Sequence, residues 1–147
     1  MCGAHAAVRT LVTEMVEQYD RSAVVDMEAG LEHLSRGTIR NVDCTLIIIE
    51  PYFKSMETGA RMIALARELG IKHLYCVANK VRGTEDERAI REFCAKRGME
   101  LLESVPNDEG LLIADRSDKA PLDYDKNGAA VTAVAKIAGK LLELHGN

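Results

Sequence analysis

The sequence has little that would mark a nucleic-acid or membrane protein. It contains no tryptophan, its aromatic fraction is 4%, and its formal net charge is −4 with acidic and basic residues interspersed. No basic patch with interleaved aromatic residues occurs, which argues against a nucleic-acid surface or an anionic-membrane anchor. No apolar run approaches the ~20 residues that a bilayer span requires, and no charged leader with an apolar core opens the sequence. We therefore expect a cytoplasmic protein that binds neither nucleic acid nor membrane.

Cysteine is also sparse and shows no paired spacing. The four cysteines, Cys2, Cys44, Cys76 and Cys94, suggest neither a disulfide framework nor a self-contained zinc site. Cys44 and Cys76 lie in apolar runs, so we expect buried thiols there. Cys2 stands three residues before His5 in a predicted helix, where a thiolate and an imidazole could face a metal ion together. Two ligands are too few for a site from one chain, and an idle thiol at a frayed terminus is the alternative.

A phosphate-binding loop is missing as well. The pattern Gly-x-x-x-x-Gly-Lys-Ser/Thr occurs at no position, and Gly139-Lys140 is followed by Leu141 within a helical pattern. Yet the run from Val24 to Gly37 is typical of the other half of a nucleoside-triphosphate switch. In such switches an aspartate at a strand end holds Mg²⁺, directly or through water, and a glycine amide a few residues later contacts the γ-phosphate. Asp26 and Gly30 are the candidates for these roles.

Apolar runs alternate with amphipathic segments, and this alternation predicts βαβ units. Strands are predicted over residues 23–26, 44–50, 73–78 and 100–105, and helices over residues 4–19, 56–69, 85–97 and 129–144. The strand over 44–50 is a near-continuous β-branched run, which predicts burial on both faces. Gly70 and Gly98 are predicted to end two of the helices. Right-handed crossovers then give one α/β domain with a mostly parallel sheet and helices on both faces.

Polar or turn-forming residues follow each predicted strand, at the edge where ligands collect in parallel sheets. These clusters are Asp26-Met27-Glu28, Glu50-Pro51, Asn79-Lys80 and Pro106-Asn107-Asp108. Four such clusters at one edge form a coherent candidate site. Each cluster also has a purely structural interpretation, since Asp26 could cap a helix and the others could be ordinary turns.

These motifs together resemble the CooC-type nickel-insertion ATPases that mature carbon monoxide dehydrogenase. The specific part of the resemblance is Asp-x-Glu-Ala-Gly-x-Glu-His-x-x-Arg-Gly over residues 26–37. The resemblance extends nearly end to end through three further runs, Met1-Cys2-Gly3-Ala4-His5, Ile49-Glu50-Pro51 and Ala78-Asn79-Lys80-Val81. Asn-Lys and Pro-x-Asp are shared with the wider group of MinD-like and nitrogenase-iron-protein-like ATPases. The resemblance implies a partial P-loop NTPase fold of the MinD/ParA-like type.

The resemblance also implies roles for individual residues. By position, Asp26 would coordinate Mg²⁺, Gly30 would contact the γ-phosphate, and Asn79 would contact the adenine of ATP or ADP. The loop formed by Pro106, Asn107 and Asp108 would close the base pocket. Members of the family dimerise around nucleotide and carry a Cys-x-Cys pair that binds nickel or zinc across the dimer. Cys2 would match the second cysteine of that pair and is the candidate metal ligand.

The family's phosphate loop and its strand are absent from the 147 residues. The resemblance therefore implies the C-terminal part of a longer protein, with residues 1–147 forming a single partial nucleotide-switch domain. In the family fold the absent strand sits between the strand that ends at Asp26 and the strand that ends at Glu50, which would leave two strand edges unpaired. Because the phosphate cradle supplies most of the electrostatic stabilisation, we expect a rate loss of at least about 10³ to 10⁵ and little or no ATPase activity from this chain alone.

Three classes of function stay open on the sequence. The first is an accessory protein of nickel insertion into carbon monoxide dehydrogenase, acting as a homo-oligomer or with a full-length homologue. The second is a non-enzymatic α/β binding module that docks on such a homologue or on the dehydrogenase. The third is a phosphoacceptor or flavodoxin-like domain that uses Asp26, and the lack of an early acidic pair on a first strand argues against a phosphoacceptor.

Overall fold

The structure is a computed structural model that describes residues 24–26 and 42–145. Strands and helices alternate through most of this part of the chain. In chain order the elements are β1 (Thr45–Ile49), α1 (Phe53–Glu68), β2 (Leu74–Val81), α2 (Thr84–Lys96), β3 (Glu100–Pro106), α3 (Glu109–Arg116), α4 (Pro121–Tyr124) and α5 (Ala129–His145). The three strands and three long helices predicted within residues 42–145 are confirmed, whereas the short helices α3 and α4 lie where no element was predicted.

The described strands form one parallel sheet in the order β1-β2-β3. Thr45 pairs with Leu74 and Ile49 with Ala78, and Tyr75 pairs with Glu100 on the other side of β2. Each crossover between neighbouring strands contains one helix, as parallel strands require. The carboxyl ends of β1, β2 and β3 therefore meet at one edge, as predicted for three of the four polar clusters.

Helices cover both faces of the sheet, which confirms the predicted α/β architecture. On one face α1 packs on β1, and α2 packs on β2 and β3; on the other face α5 packs on β3. The buried core under α1 and α2 contains Ile47, Ile49, Ile63, Cys76, Ala78, Ile90, Phe93, Cys94 and Met99. The core under α5 contains Tyr75, Val77, Leu102, Val105, Ala130, Ala133 and Ile137. Burial of this apolar surface is what fixes the helices on the sheet.

Glycines end the two long helices that precede β2 and β3, as predicted. Gly70 has φ +75° just past α1, and Gly98 has φ +58° just past α2. A residue without a Cβ adopts this left-handed conformation at little cost, so both helices end where the chain must turn towards the sheet. Among the described residues, no helix is both long enough and apolar enough to cross a membrane.

Two expectations about strands are wrong. Residues 24–26 have no regular secondary structure and are exposed, with Val24 97% exposed, although a strand was predicted over 23–26. A short apolar run forms a strand only where a neighbouring strand pairs with it, and the described sheet contains no such neighbour. The strand β1 is not buried on both faces, because Ile48 is 53% exposed while Ile47 and Ile49 are buried. Ile48 lies on the same face of the sheet as α5. That helix packs on β3, two strands away from β1, and therefore does not cover Ile48.

Candidate functional site

The carboxyl end of β2 is bulged at the predicted Asn-Lys motif. The register shifts between Ala78, which pairs with Ser104, and Val81, which pairs with Pro106, so β2 contains one extra residue in this interval. Lys80 has φ +54°, which is unusual for a residue with a side chain. The backbone N–H of Lys80 donates a hydrogen bond to Oδ1 of Asn79 at 3.0 Å. Bulges of this kind redirect side chains and are frequent beside functional sites.

An ion pair joins this bulge to the end of β1. Nζ of Lys80 lies 2.9 Å from Oε1 of Glu50, and the two side chains are 58% and 27% exposed. The hydrogen bond to Glu50 raises the pKa of Lys80 above its ordinary value. A hydrogen bond fixes the backbone of Glu50, because its N–H donates to Oγ of Ser55 in the first turn of α1 at 2.9 Å. The pair thus connects a residue anchored at the start of α1 to the bulged end of β2.

The end of β3 stays joined to the end of β2. Val81 pairs with Pro106, and the N–H of Asn107 donates to the carbonyl oxygen of Val81 at 2.9 Å. Asn79 precedes Val81 by only two residues, so the structure places the Asn-Lys motif next to the Pro106 to Asp108 loop. Asn79 is half-buried, and within residues 24–26 and 42–145 its Nδ2 group has no hydrogen-bond acceptor. A half-buried amide with free N–H groups is suited to bind an acceptor on a ligand.

Asp108 connects two helix beginnings. Its Oδ1 accepts from the N–H of Gly110 at 2.8 Å and caps α3, and its Oδ2 accepts from the N–H of Ala130 at 3.0 Å in the first turn of α5. The hydrogen bonds from Ala130 and Gly110 lower the pKa of this carboxyl. Both carboxylate oxygens are thus engaged with backbone, which favours a structural role for the Asp108 side chain in shaping the loop.

A small cleft opens beside Asp108, between α3, α4 and the start of α5. Its lining residues are Asp108, Gly110, Leu111, Pro121, Tyr124, Asp125, Gly128 and Val131. A Cβ at Gly128 would lie 3.2 Å from the carbonyl oxygen of Asp125 and 3.5 Å from Oδ2 of Asp108. The absence of a side chain at Gly128 therefore lets the loop before α5 approach the Asp108 carboxylate.

Of the remaining predicted site residues, the structure describes only Asp26. Asp26 lies in the exposed segment 24–26, while Gly30 and Cys2 lie outside the described residues. Within the described part of the chain, no group of three or more His, Cys, Asp or Glu side chains could hold a metal ion. The described residues therefore give no structural support for the predicted Mg²⁺ and nickel or zinc ligands, and no metal-dependent step can be derived from them.

The described cysteines are free thiols in different environments. Cys76 is buried as predicted, whereas Cys44 is only half-buried. Burial raises the pKa of the Cys44 thiol, and the neighbouring Asp43 carboxylate adds to this effect. The hydrogen bond with Cys94, together with burial, raises the pKa of Cys76 well above its ordinary value. Both effects keep these two thiols protonated, which makes them poor metal ligands.

The Glu50–Lys80 ion pair and the second hydrogen bond of Asp108 could not be predicted from the sequence. The polar residues at the strand ends were visible as a pattern, but their pairing depends on the register of the sheet. The bulge at Lys80 has no sequence signal, because a glycine or asparagine is the usual marker of a left-handed residue and Lys80 is neither.

Sequence and structure comparisons identify relatives of the whole chain. The chain is 37% identical over 144 residues to the carbon monoxide dehydrogenase accessory protein CooC of Rhodospirillum rubrum, covering 95% of this chain and 54% of that protein. It is also 37% identical over 145 residues to an uncharacterized ATP-binding protein of Methanocaldococcus jannaschii, covering 98% of this chain and 55% of that protein. By sequence, this chain is therefore CooC-like over nearly its whole length. The CooC-like chain spans about half the length of the curated relatives it matches.

Solved structures place the CooC-like chain in the same fold as MinD. A chain of the MinC:MinD cell division protein complex of Aquifex aeolicus matches with a TM-score of 0.75 at 16% identity, over 95% of this chain and 59% of that chain. The cell division ATPase MinD of Pyrococcus furiosus matches with a TM-score of 0.56 at 16% identity, over 67% of this chain and 42% of that chain. These likenesses confirm the predicted MinD-like α/β fold. No protein-family model matches the chain.

Proposed function

We propose that this CooC-like chain supplies the base-binding part of a nucleotide switch that serves nickel insertion into carbon monoxide dehydrogenase. The supporting observation is the junction of β2 and β3, where the half-buried amide of Asn79 lies next to the Pro106 to Asp108 loop. In this proposal Asn79 donates to the base of ATP or ADP. Pro106 and Asp108 border the base through the shape of their loop, since the Asp108 carboxylate is occupied by backbone N–H groups.

The proposal assigns the phosphate and metal chemistry to other groups. Asp26 would hold Mg²⁺ through water, Gly30 would contact the γ-phosphate, and Cys2 would bind the nickel or zinc ion with ligands from a second subunit. Because the 147 residues contain no phosphate-binding loop, we expect weak nucleotide binding and little or no hydrolysis by the chain alone. A dimer would supply the further ligands of the nickel or zinc ion, and a complex with a full-length homologue in the cytoplasm would supply the phosphate-binding loop.

The decisive experiment adds the phosphate-binding segment as a separate polypeptide. The portion of Rhodospirillum rubrum CooC that this chain does not cover would be mixed with the chain, and the affinity for MgATP measured by calorimetry. We expect MgATP to bind more tightly to the mixture than to either polypeptide. Equal affinity for the chain alone and for the mixture would contradict the proposal.

Variants of the mixture then test the base contact. Asn79→Ala should weaken MgATP binding by about fivefold, the loss expected for one hydrogen bond. Lys72→Ala is the matched control, because Lys72 is an exposed residue before β2, at the opposite edge of the sheet. Equal effects of the two substitutions would remove Asn79 from the site.

A second candidate function is a non-enzymatic module that docks on a full-length homologue or on the dehydrogenase. β1 is an edge strand of the sheet that the described residues form, and Ile48 on this strand has an exposed apolar side chain. These features favour the second candidate, because edge strands readily pair with other chains. Binding of the chain to either protein without any response to MgATP would support this candidate over the nucleotide switch.

A further inference from the structure

The bulge at the end of β2 contains a residue, Lys80, in a backbone conformation that is unfavourable for its residue type. Its φ is +54°, which brings the Cβ close to the following carbonyl oxygen. Glycine, which has no Cβ, adopts this conformation most readily. Conformations of this kind persist only where surrounding contacts impose them, and they cluster at ligand-binding sites. The contacts that impose this one are therefore of functional interest.

Two contacts of Lys80 act on the bulge from different sides. Its side chain is tied to Glu50 at 2.9 Å, and its backbone N–H is tied to Oδ1 of Asn79 at 3.0 Å. Glu50 itself is fixed by the hydrogen bond between its N–H and Ser55. Glu50, which is anchored at the start of α1, therefore holds Lys80, and the backbone N–H of Lys80 holds the side-chain amide of Asn79.

The hydrogen bond from Lys80 determines which part of Asn79 is available. Because Oδ1 accepts the backbone N–H, the amide is held in one orientation, and the two Nδ2 hydrogens are the donors left for a ligand. An amide fixed in this way binds an acceptor without first losing rotational freedom, which favours binding.

We propose that Lys80, held by Glu50, is a positioning residue that orients the Asn79 amide as a hydrogen-bond donor for an acceptor on a nucleobase. This inference rests on the proposed function for the identity of the ligand, and on the contacts of Lys80 for the orientation. Glu50, at the end of β1, therefore contributes to the base site through its ion pair with Lys80 and makes no contact with the base itself. Lys80 acts through Asn79 and has no catalytic role.

Nuclear magnetic resonance of the full chain tests the orientation directly. The resonance of the Lys80 backbone amide and its hydrogen-exchange rate report the bond to Asn79, and Asn79→Ala supplies the reference spectrum in which that bond is absent. We expect Glu50→Gln to move the Lys80 amide towards its position in the reference spectrum and to accelerate its exchange. The matched control is Glu57→Gln, which breaks the exposed 2.6 Å ion pair between Glu57 and Arg61 on α1 and should leave the Lys80 amide unchanged.

Titration with adenosine tests the consequence for binding. Adenosine carries the base without phosphates, so the missing phosphate loop does not affect the comparison. We expect Glu50→Gln to weaken adenosine binding by about fivefold, similar to the loss of one hydrogen bond, and Glu57→Gln to have no effect. The variant Lys80→Gly keeps the left-handed conformation accessible without the ion pair, and it should bind better than Lys80→Ala.

The possible results separate the two proposals. A Lys80 amide that is unchanged in Glu50→Gln would overturn the positioning role, whatever the affinity for adenosine. Failure of the unmodified chain to bind millimolar adenosine would overturn the nucleobase site, while the spectra would still decide whether the ion pair orients Asn79. Parallel changes in the spectra and in the affinity would support both proposals.

Discussion

Oδ2 of Asp108 accepts a hydrogen bond from the backbone N–H of Ala130, which lies 22 residues further along the chain, at 3.0 Å. The other carboxylate oxygen caps α3 through the N–H of Gly110 at 2.8 Å. One side chain therefore satisfies donors at the beginnings of two helices, and it fixes the loop that follows β3 against the start of α5. The Asp108 side chain therefore has a structural role in the loop that we propose borders the base.

The first prediction concerns the stability that this junction provides. Asp108→Ala removes both hydrogen bonds and leaves the two helix N-termini without these acceptors, so thermal unfolding should occur several degrees lower. Asp108→Asn keeps one acceptor oxygen and should have an intermediate effect. The control is Asp115→Ala, which changes an exposed carboxylate within α3. An Asp108→Ala protein as stable as the control would show that the junction contributes nothing.

The second prediction concerns the pH dependence of the same group. The hydrogen bonds from Ala130 and Gly110 lower the pKa of Asp108 in the folded protein below the ordinary value of about 3.9. Its contribution to stability is therefore fully present above about pH 4 and is lost as the pH falls through the folded pKa. Thermal unfolding of the unmodified chain and of Asp108→Asn from pH 7 to pH 3 checks this. The difference between them should be constant down to about pH 4 and shrink below it.

The third prediction tests the close packing of α1 on β1. A Cβ at Gly59 would lie 3.0 Å from Cδ1 of Ile49, so Gly59→Ala gains helix propensity but crowds the core. Ile49→Val removes that Cδ1 atom, and the two substitutions should be coupled by about 1 kcal/mol in a double-mutant cycle of urea unfolding. Gly139→Ala in α5, where a Cβ meets no described atom within 4 Å, should stabilise by about 0.5–1 kcal/mol regardless of residue 49. Additive effects at positions 49 and 59 would contradict the contact.

The fourth prediction concerns the two faces of β1. Ile48 is 53% exposed and Ile47 is 1% exposed, although the two residues are neighbours of the same type. Ile47→Thr buries a hydroxyl group and should lower the free energy of unfolding by about 2–4 kcal/mol, whereas Ile48→Thr should change it by less than about 0.5 kcal/mol. Urea unfolding measures both values. A large loss in Ile48→Thr would mean that this face of β1 is covered in solution.

A second substitution at Ile48 tests whether β1, an edge strand of the described sheet, pairs with other chains. An exposed apolar side chain on an edge strand favours association, so Ile48→Lys should reduce any concentration-dependent self-association measured by sedimentation. The exposed Leu122 in α4, replaced by lysine, is the control for a general effect of charge. If both variants associate as strongly as the unmodified chain, β1 is not the contact surface.

Local sequence signals predict most of the architecture. The β-branched run at β1, the amphipathic stripes of α1, α2 and α5, and the glycines after α1 and α2 are local signals, because periodicity and the left-handed turn are properties of a few consecutive residues. The CooC-like motifs were equally local, and the sequence comparison confirms the similarity to CooC. The polar residues at the strand ends followed from the parallel sheet, since parallel strands bring their carboxyl ends to the same edge.

The contacts of those polar residues depend on how the strands and helices pack together. The register of β2 against β3 produces the bulge, and the bulge brings Lys80 to Glu50 and fixes the Asn79 amide. The approach of α5 gives Asp108 its second helix, a contact across 22 residues that no local pattern reports. Likewise, the exposure of Ile48 depends on which strands and helices lie beside β1. Most of the helices and strands described here have signals in short stretches of sequence, whereas these contacts form only when the elements pack together and set the distances between them.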